Sequence, residues 1–170
     1  MVSERAERHA LNLFESPDRM NYRIRSAQER RAEIQAHAAQ LGIDEAFIST
    51  LVEQFYQRVL SHPGLGPIFT RAVDDWTEHL PKMKDFWSSV ALNSGRYSGK
   101  PVPAHKVLNG VKTEDFEIWL GLFRDTLEDL SPRADTVSYF MQRAERIAQS
   151  LQLAMFGLPD LASGLSTQKN

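Results

Sequence analysis

Two histidines, a tyrosine and a tryptophan are the side chains of this 170-residue sequence whose chemistry is best suited to holding a ligand. An imidazole can coordinate a metal ion, and a phenol O–H or an indole N–H can donate a hydrogen bond to a bound molecule. The four residues are His79, His105, Tyr56 and Trp119. For Tyr56 and Trp119, the simpler interpretation is that they are large core side chains.

His79 lies within an apolar helical pattern. Met83, Phe86 and Val90 follow it by four, seven and eleven positions, a spacing that places all four side chains on one face of a helix. The histidine is therefore expected to face inward. Taken alone, such a residue is usually a partly buried side chain with one nitrogen satisfied by a hydrogen bond.

His105 lies in a stretch rich in glycine and proline, NSGRYSGKPVPAHKVLNG. This composition predicts an extended loop with at most a short helix near residues 104–108. A histidine in a loop is most often solvated, but Val102, Val107 and Leu108 make this segment apolar enough to dock against the protein. The second interpretation is that His105 faces a cavity.

Several kinds of site are excluded by what the sequence lacks. There is no cysteine, which excludes disulfides, thiolate zinc sites, iron–sulfur clusters and cysteine nucleophiles. No HExxH motif, no pair of histidines four positions apart and no GxSxG elbow occurs. A single histidine can still hold a cofactor that brings its own equatorial ligands. A heme needs an axial imidazole, an apolar slot between helices and hydrogen-bond donors on the opposite side.

Charge and hydropathy exclude some classes of partner. The chain has 20 Lys and Arg against 22 Asp and Glu, a formal net charge of −2, and no basic face of the kind that binds phosphate backbones stands out. No apolar run reaches the ~18 residues of a membrane span, and the first residues lack the apolar core of a signal peptide. We therefore expect a cytoplasmic protein that binds neither nucleic acid nor membrane.

Helical periodicity begins after residues 1–25, which are expected to form a mobile or loosely docked N-terminal extension. Ser26 and Glu29 form a capping-box pair at the start of a helix that ends at Gly42. Asp44 can cap a second helix, which SHPGLGP interrupts. The apolar stripes of these two helices are Ile34, Ala38 and Leu41, then Ile48, Val52, Phe55 and Val59.

Two further helices continue this pattern. Asp75 and Glu78 form a second capping-box pattern before the helix of His79, which should run to about Asn93. Thr113 should cap the next helix, which has the strongest amphipathic pattern in the chain. The apolar positions of that helix are Phe116, Trp119, Leu120, Phe123, Leu127 and Leu130.

The last helix is expected to start at Ser131 and Pro132 and to stop at Gly157. Its inward positions are Val137, Phe140, Ala144, Ile147, Ala148 and Leu151. No segment has the period of a strand, so the sequence predicts an all-α protein. It consists of one domain over residues 26–158, followed by a tail over residues 159–170.

Five sequence blocks, in this order and spacing, resemble the group III truncated hemoglobins of bacteria. The blocks are FYQRV, LGPIF, DWTEHLPKMKDFWSSV, GRYSGKPVPAH and FEIWLGLF. Each block alone is a weak signal, but five in register are specific, and together they extend over about residues 26–157. The resemblance implies a truncated globin, a two-over-two helical sandwich with an N-terminal extension, in which a loop that holds one histidine replaces the usual proximal helix.

The resemblance also implies a function for each matched residue. His105 matches the proximal iron ligand of a b-type heme, whereas Tyr56 and Trp119 match the distal hydrogen-bond donors. His79 matches the distal histidine, a gate or weak sixth ligand. The apolar contacts of the family match Phe69, which packs on the porphyrin, and Met83, one turn beyond His79.

Charged residues near these blocks are candidates for pairing with the heme propionates. We expect Lys82 to lie near them, and Arg96 and Lys100 are further candidates, with a solvated charged face as the alternative for both. Phe86 is expected to contact the heme because it shares the stripe of His79.

The implied function is the binding of O₂, NO and CO at a histidine-ligated heme. One hypothesis adds redox chemistry, such as NO detoxification or peroxide handling, with a separate reductase as electron donor. Another is a heme-based sensor or interaction module acting through residues 1–41. A third is a helical domain that keeps globin packing without heme. The expected oligomeric state is a monomer or weak dimer.

Overall fold

The computed structural model describes residues 26–157. The predicted N-terminal extension and the C-terminal tail lie outside the described residues. The chain divides into two units between Arg30 and Arg31, and the helix pairs, the core and the site lie in the second unit. In the described part of the first unit, the capping box is confirmed. The Glu29 N–H donates to Ser26 Oγ at 3.1 Å, and the Ser26 N–H donates to Glu29 Oε2 at 2.8 Å.

All regular structure in residues 26–157 is helical, as the sequence predicts. The helices are α1 (Ala27–Gln40), α2 (Glu45–Ser61), α3 (Leu65–Ala72), α4 (Trp76–Leu92), α5 (Pro101–Lys106), α6 (Thr113–Leu130) and α7 (Ala134–Phe156). Two pairs of long helices, α2 with α4 and α6 with α7, stack through contacts of α2 with α6. This is the predicted two-over-two sandwich. None of the described helices is both long enough and apolar enough to span a membrane.

Aromatic side chains from three helices form the centre of the core. Trp87 of α4 stacks on Phe123 of α6, with ring centroids 4.6 Å apart, and Phe140 of α7 contacts both rings. All three residues are almost fully buried. Each large aromatic side chain buries about 150–250 Å², so this cluster dominates the packing energy between the two helix pairs.

The apolar stripes predicted for α2, α6 and α7 lie on the buried faces of those helices. In α2, every residue of the predicted stripe is at most 1% exposed. The Asp44 cap is also confirmed, because its Oδ1 accepts the Phe47 N–H at 2.7 Å. Between α1 and α2, Gly42 has a φ of +74°, a conformation that glycine adopts without strain.

The start of α4 is capped from one side only. Asp75 Oδ1 accepts the backbone N–H groups of Thr77 at 2.7 Å and Glu78 at 3.3 Å. Glu78, the expected second member of a capping box, instead extends along the helix to Lys82, with 3.7 Å between their charged atoms. The hydrogen bonds from Thr77 and Glu78 keep the pKa of Asp75 below its ordinary value.

The start of α6 lies one residue from the predicted position. Thr113 is not the cap but the first helical residue, and the cap position belongs to Lys112. The Lys112 N–H donates to Asp115 Oδ2 at 2.8 Å. The Asp115 carboxylate, one turn into the helix, therefore satisfies the backbone N–H of Lys112.

The start of α7 is also later than predicted. Ser131 and Pro132 precede the helix, and the cap residue is Arg133. Ser131 Oγ accepts the Arg133 N–H at 3.3 Å, which closes a short turn instead of the first turn of the helix. The predicted end is correct, because Gly157 has a φ of +79° and caps the helix.

Two short helices differ most from the sequence expectation. SHPGLGP ends α2 but contains the start of α3 at Leu65, which was not predicted. Gly66 permits this corner, since a Cβ atom there would overlap the Leu60 carbonyl oxygen. Helix α5 begins at Pro101, three residues before the predicted position. Proline is favoured at the first position of a helix because its missing N–H is not needed there.

Candidate functional site

A cavity of about 550 Å³ lies between helices α2–α7. The residues that border it include all those predicted from the sequence to contact a ligand or cofactor: Tyr56, Phe69, His79, Lys82, Met83, Phe86, Arg96, His105 and Trp119. Most of the lining is apolar. Lys100, considered as a further cation for this site, does not border the cavity.

Helix α5 positions His105 at the cavity. The His105 Nδ1 atom lies 2.7 Å from the carbonyl oxygen of Pro101, the first residue of the same helix. A carbonyl oxygen only accepts hydrogen bonds, so Nδ1 carries the hydrogen and Nε2 has a free lone pair. Neutral imidazole in this tautomer is a ligand for iron and zinc, and the backbone bond fixes the orientation of the ring.

The Tyr56 hydroxyl is available to a molecule in the cavity. Tyr56 is 6% exposed, yet its hydroxyl forms no hydrogen bond with any described residue. No fully buried side-chain oxygen or nitrogen among the described residues lacks a partner. The Tyr56 oxygen atom therefore reaches free space, and this space is the cavity that the residue borders.

The Tyr56 hydroxyl is also held in its protonated form. Burial, with a smaller contribution from neighbouring Tyr97, raises the pKa of Tyr56 well above its ordinary value. The ring has four aromatic contacts, with centroid distances of 5.0 Å to Phe55, 5.5 Å to Trp76, 6.0 Å to Phe69 and 6.0 Å to His79. The side chain is thus a fixed neutral donor.

His79 borders the same cavity as a partly buried and neutral side chain. Desolvation by burial lowers the pKa of His79, and the positive charge of Lys82 and the neighbouring His105 lower it further. Trp76 contacts the imidazole edge to face, with ring centroids 5.3 Å apart. Of the predicted stripe, His79, Met83 and Phe86 border the cavity, whereas Val90 does not and packs against the core.

Trp119 is oriented by two phenylalanine rings. It stacks on Phe123 at 5.5 Å with an interplanar angle of 3°, and it meets Phe55 at 5.2 Å and 89°. Its indole N–H has no hydrogen-bond partner in the part of the chain that the structure describes. Trp119 and Tyr56 both border the cavity, and each has a donor without a partner among the described residues.

The two cations that border the cavity have different surroundings. Lys82 is mostly exposed, and its contact with Glu78 is loose at 3.7 Å. Arg96 is bound by two carboxylates, with its NH2 nitrogen (Nη2) 2.6 Å from Glu45 Oε2 and its Nε 3.1 Å from Asp85 Oδ1. Lys82 is therefore the more available of the two for a bound anionic group.

Sequence reasoning missed several residues of the cavity wall. Trp87 and Tyr97 border the cavity, and so do Ile147, Ala148 and Leu151 of α7, which were predicted only as core positions. The apolar spacing along a helix identifies its buried face, but it does not distinguish residues packed in the core from residues that line a cavity. For Tyr97, the sequence signal was its place in GRYSG beside the predicted site residue Arg96.

Comparison with known proteins agrees with this geometry. A crystal structure of a group III truncated hemoglobin from Campylobacter jejuni aligns with a TM-score of 0.63 and 36% sequence identity, covering 67% of this chain and 92% of that chain. The group 3 truncated hemoglobin ctb of C. jejuni is 35% identical over 118 residues, 67% of this chain and 92% of the relative. The group 2 truncated hemoglobin YjbI of Bacillus subtilis is 29% identical over 113 residues, 64% and 83% of the two chains. No family model matches the sequence.

The fold and these relatives define a globin-type heme protein. The chain belongs to the group III truncated hemoglobin family.

The described residues fit a heme. No group of three or more His, Asp or Glu side chains in residues 26–157 could hold a metal ion by itself. A metal on His105 must therefore bring its other ligands, as the iron of a heme does. The cavity volume of about 550 Å³ lies within the range of about 300–1,000 Å³ that is common for cofactor sites, and its lining is mostly apolar as those sites require.

Proposed function

We propose that the protein binds a b-type heme through His105 Nε2 and uses it to bind O₂ and other diatomic molecules. The observation that carries the proposal is the bond from His105 Nδ1 to the Pro101 carbonyl, which leaves Nε2 as a free, oriented ligand at an apolar cavity. When bound in this way, heme iron supplies an open coordination position for O₂, NO or CO. Lys82, which borders the cavity and has only a loose contact with Glu78, would pair with a propionate.

The side chains of the cavity determine how a diatomic ligand is held. Tyr56 and Trp119 border the cavity and each has an unpaired donor, and a donor is most useful to a ligand that carries partial negative charge. His79 is neutral near pH 7 because its pKa is lowered, so it adds no fixed positive charge. Phe69, Met83 and Phe86 keep the site apolar, which strengthens each hydrogen bond to the ligand.

A redox activity is the first candidate for the reaction of the bound ligand. Conversion of NO to nitrate with O₂, or reduction of a peroxide, fits two neutral donors aimed at a partly charged ligand. Either reaction needs electrons, which we expect from a separate reductase. The alternative is a sensor or interaction module that acts through residues 1–41. A cytoplasmic location and a monomeric or weakly dimeric state stay predictions from the sequence.

Absorption spectra of the ferric, ferrous and CO-bound protein test the proposal. We expect stoichiometric uptake of hemin, and a ferrous protein that binds CO reversibly. A protein that stays colourless when supplied with hemin contradicts the proposal and supports the third hypothesis, a globin fold without heme. Turnover of NO or peroxide with an added reductase then favours the redox activity over the sensor, for which ligand-dependent binding of a partner is expected instead.

A further inference from the structure

Arg96 connects three parts of the chain that surround the cavity. Its guanidinium pairs with Glu45, the first residue of α2, at 2.6 Å and with Asp85 of α4 at 3.1 Å. Arg96 itself lies in the segment of residues 94–99 between α4 and α5. A planar guanidinium can satisfy two carboxylates from different directions at once, which an ammonium does less well.

Two serine side chains of α4 also hold the segment of residues 94–99 through hydrogen bonds. Ser88 Oγ of α4 lies 2.8 Å from both Glu45 Oε1 and Ser94 Oγ. The Tyr97 backbone N–H donates to Ser89 Oγ at 3.0 Å. Glu45 therefore uses one oxygen atom for Arg96 and the other for Ser88. Both the Arg96 ion pair and the Ser88 hydrogen bond depend on this one carboxylate.

The segment held in this way is a wall of the cavity. Tyr97, Ser98 and Gly99 border it, and α5, which carries His105, begins directly afterwards. The Tyr97 ring meets Phe86 of α4 edge to face, with centroids 5.1 Å apart. It also covers Gly99, where a Cβ atom would overlap the Tyr97 hydroxyl. The close approach of these two residues makes the wall continuous.

We propose that Arg96 is a positioning residue that clamps residues 94–99 over the cavity and retains heme by holding this wall in place. It does not do so by pairing with a propionate. The proposal rests on the heme binding proposed above. The Nε and Nη2 atoms of Arg96 are paired with Asp85 and Glu45, which turns the guanidinium toward these two carboxylates. The side chain of Arg96 is half exposed, so its ion pairs add little to global stability, and their effect is expected on the rate of heme loss.

Heme transfer from the loaded protein to an excess of an apo-globin acceptor tests the clamp. Arg96→Ala is expected to speed heme loss about tenfold, the equivalent of about 1.4 kcal/mol. Glu45→Gln is expected to speed it as well, and the double variant to lose heme no faster than Arg96→Ala alone, because both changes break one network. A direct propionate contact requires the opposite: Glu45→Gln would free Arg96 and leave heme loss unchanged or slower. That result, or additive effects, overturns the proposal.

Arg58→Ala is the matched control. Arg58 pairs with Asp129 and so joins α2 to α6, but it does not border the cavity. It should leave the rate of heme loss unchanged. A second readout is backbone hydrogen exchange over residues 94–99, which should accelerate in Arg96→Ala and in Glu45→Gln but not in Arg58→Ala. Unchanged exchange contradicts the clamp even if wild-type protein takes up no heme, so failure of the clamp and failure of heme binding are distinguishable.

Discussion

The His105 ring and the Pro101 carbonyl oxygen, one turn apart in a six-residue helix, are joined by a contact of 2.7 Å. The bond lies within a single short helix, so the tautomer and the direction of the imidazole are set locally and do not depend on the core. Proline suits this position because its ring fixes the first turn and its missing N–H is not needed there.

His105→Ala is expected to abolish stoichiometric heme retention, because it removes the imidazole that would coordinate the iron. The Soret absorbance of the purified variant, with and without added imidazole, measures this. His37→Ala is the control, since His37 stacks on Tyr139 away from the cavity. Wild-type absorbance in His105→Ala without imidazole rejects the assignment of this residue as the ligand.

Tyr56→Phe and Trp119→Phe are each expected to raise the O₂ dissociation rate about tenfold, because loss of about 1.4 kcal/mol is a factor of ten. Each change removes an unpaired donor of a residue that borders the cavity and keeps an aromatic ring. CO accepts hydrogen bonds less well, so its dissociation rate should change far less. Stopped-flow measurement of both ligands separates the two effects. Equal factors for O₂ and CO mean that these residues act through packing alone.

Lys82→Ala is expected to speed heme loss only about two- to fivefold. The side chain is exposed, and an exposed ion pair contributes about 0–1 kcal/mol. The effect should shrink further at high salt, because exposed charges are screened. Heme transfer measured at low and high ionic strength tests this. Loss of heme as complete as in His105→Ala means that the propionates lie elsewhere.

His79 should titrate below its ordinary pKa of 6.5 in the heme-free protein. Burial is the main cause and does not change in Lys82→Ala, so this variant should raise the pKa of His79 only part of the way back. Because the unfolded chain binds the proton more readily, the contribution of neutral His79 to stability is present above pH 6.5 and is lost as pH falls. NMR titration of the His79 ring measures the shift. A pKa at or above the ordinary value contradicts the expected burial of this side chain.

The long helices were predictable because periodicity and burial agree in them. The stripe of α2 and the inward positions of α6 and α7 follow from apolar spacing alone, since one face of each helix is buried against another helix. Helix α4 is the exception. One side faces the cavity through Phe86 and the other faces the core through Ala91 and Leu92, so both sides are apolar, and the stripe of His79 described only one of them.

Contacts between distant parts of the chain were not predictable. Arg96 was one candidate for pairing with a propionate, with a solvated charged face as the alternative, and its partner Glu45, 51 positions earlier, was not predicted. Nothing in the spacing of a single segment reports a partner that only the tertiary fold brings near. The same limit applies to Gly66. A glycine is required there because a Cβ atom would overlap the Leu60 carbonyl oxygen, and the sequence does not reveal the turn that brings these two residues together.

Helix α5 contributes no buried residue, whereas the core of Trp87, Phe123 and Phe140 is formed by α4, α6 and α7. The groups that make the chain fold are thus separate from the residue that would hold the iron. We therefore expect the long helices to pack around this core during synthesis, before heme is bound. Synthesis of the polypeptide and supply of heme can therefore be uncoupled in time, with a folded apoprotein as a reservoir that is loaded when heme becomes available.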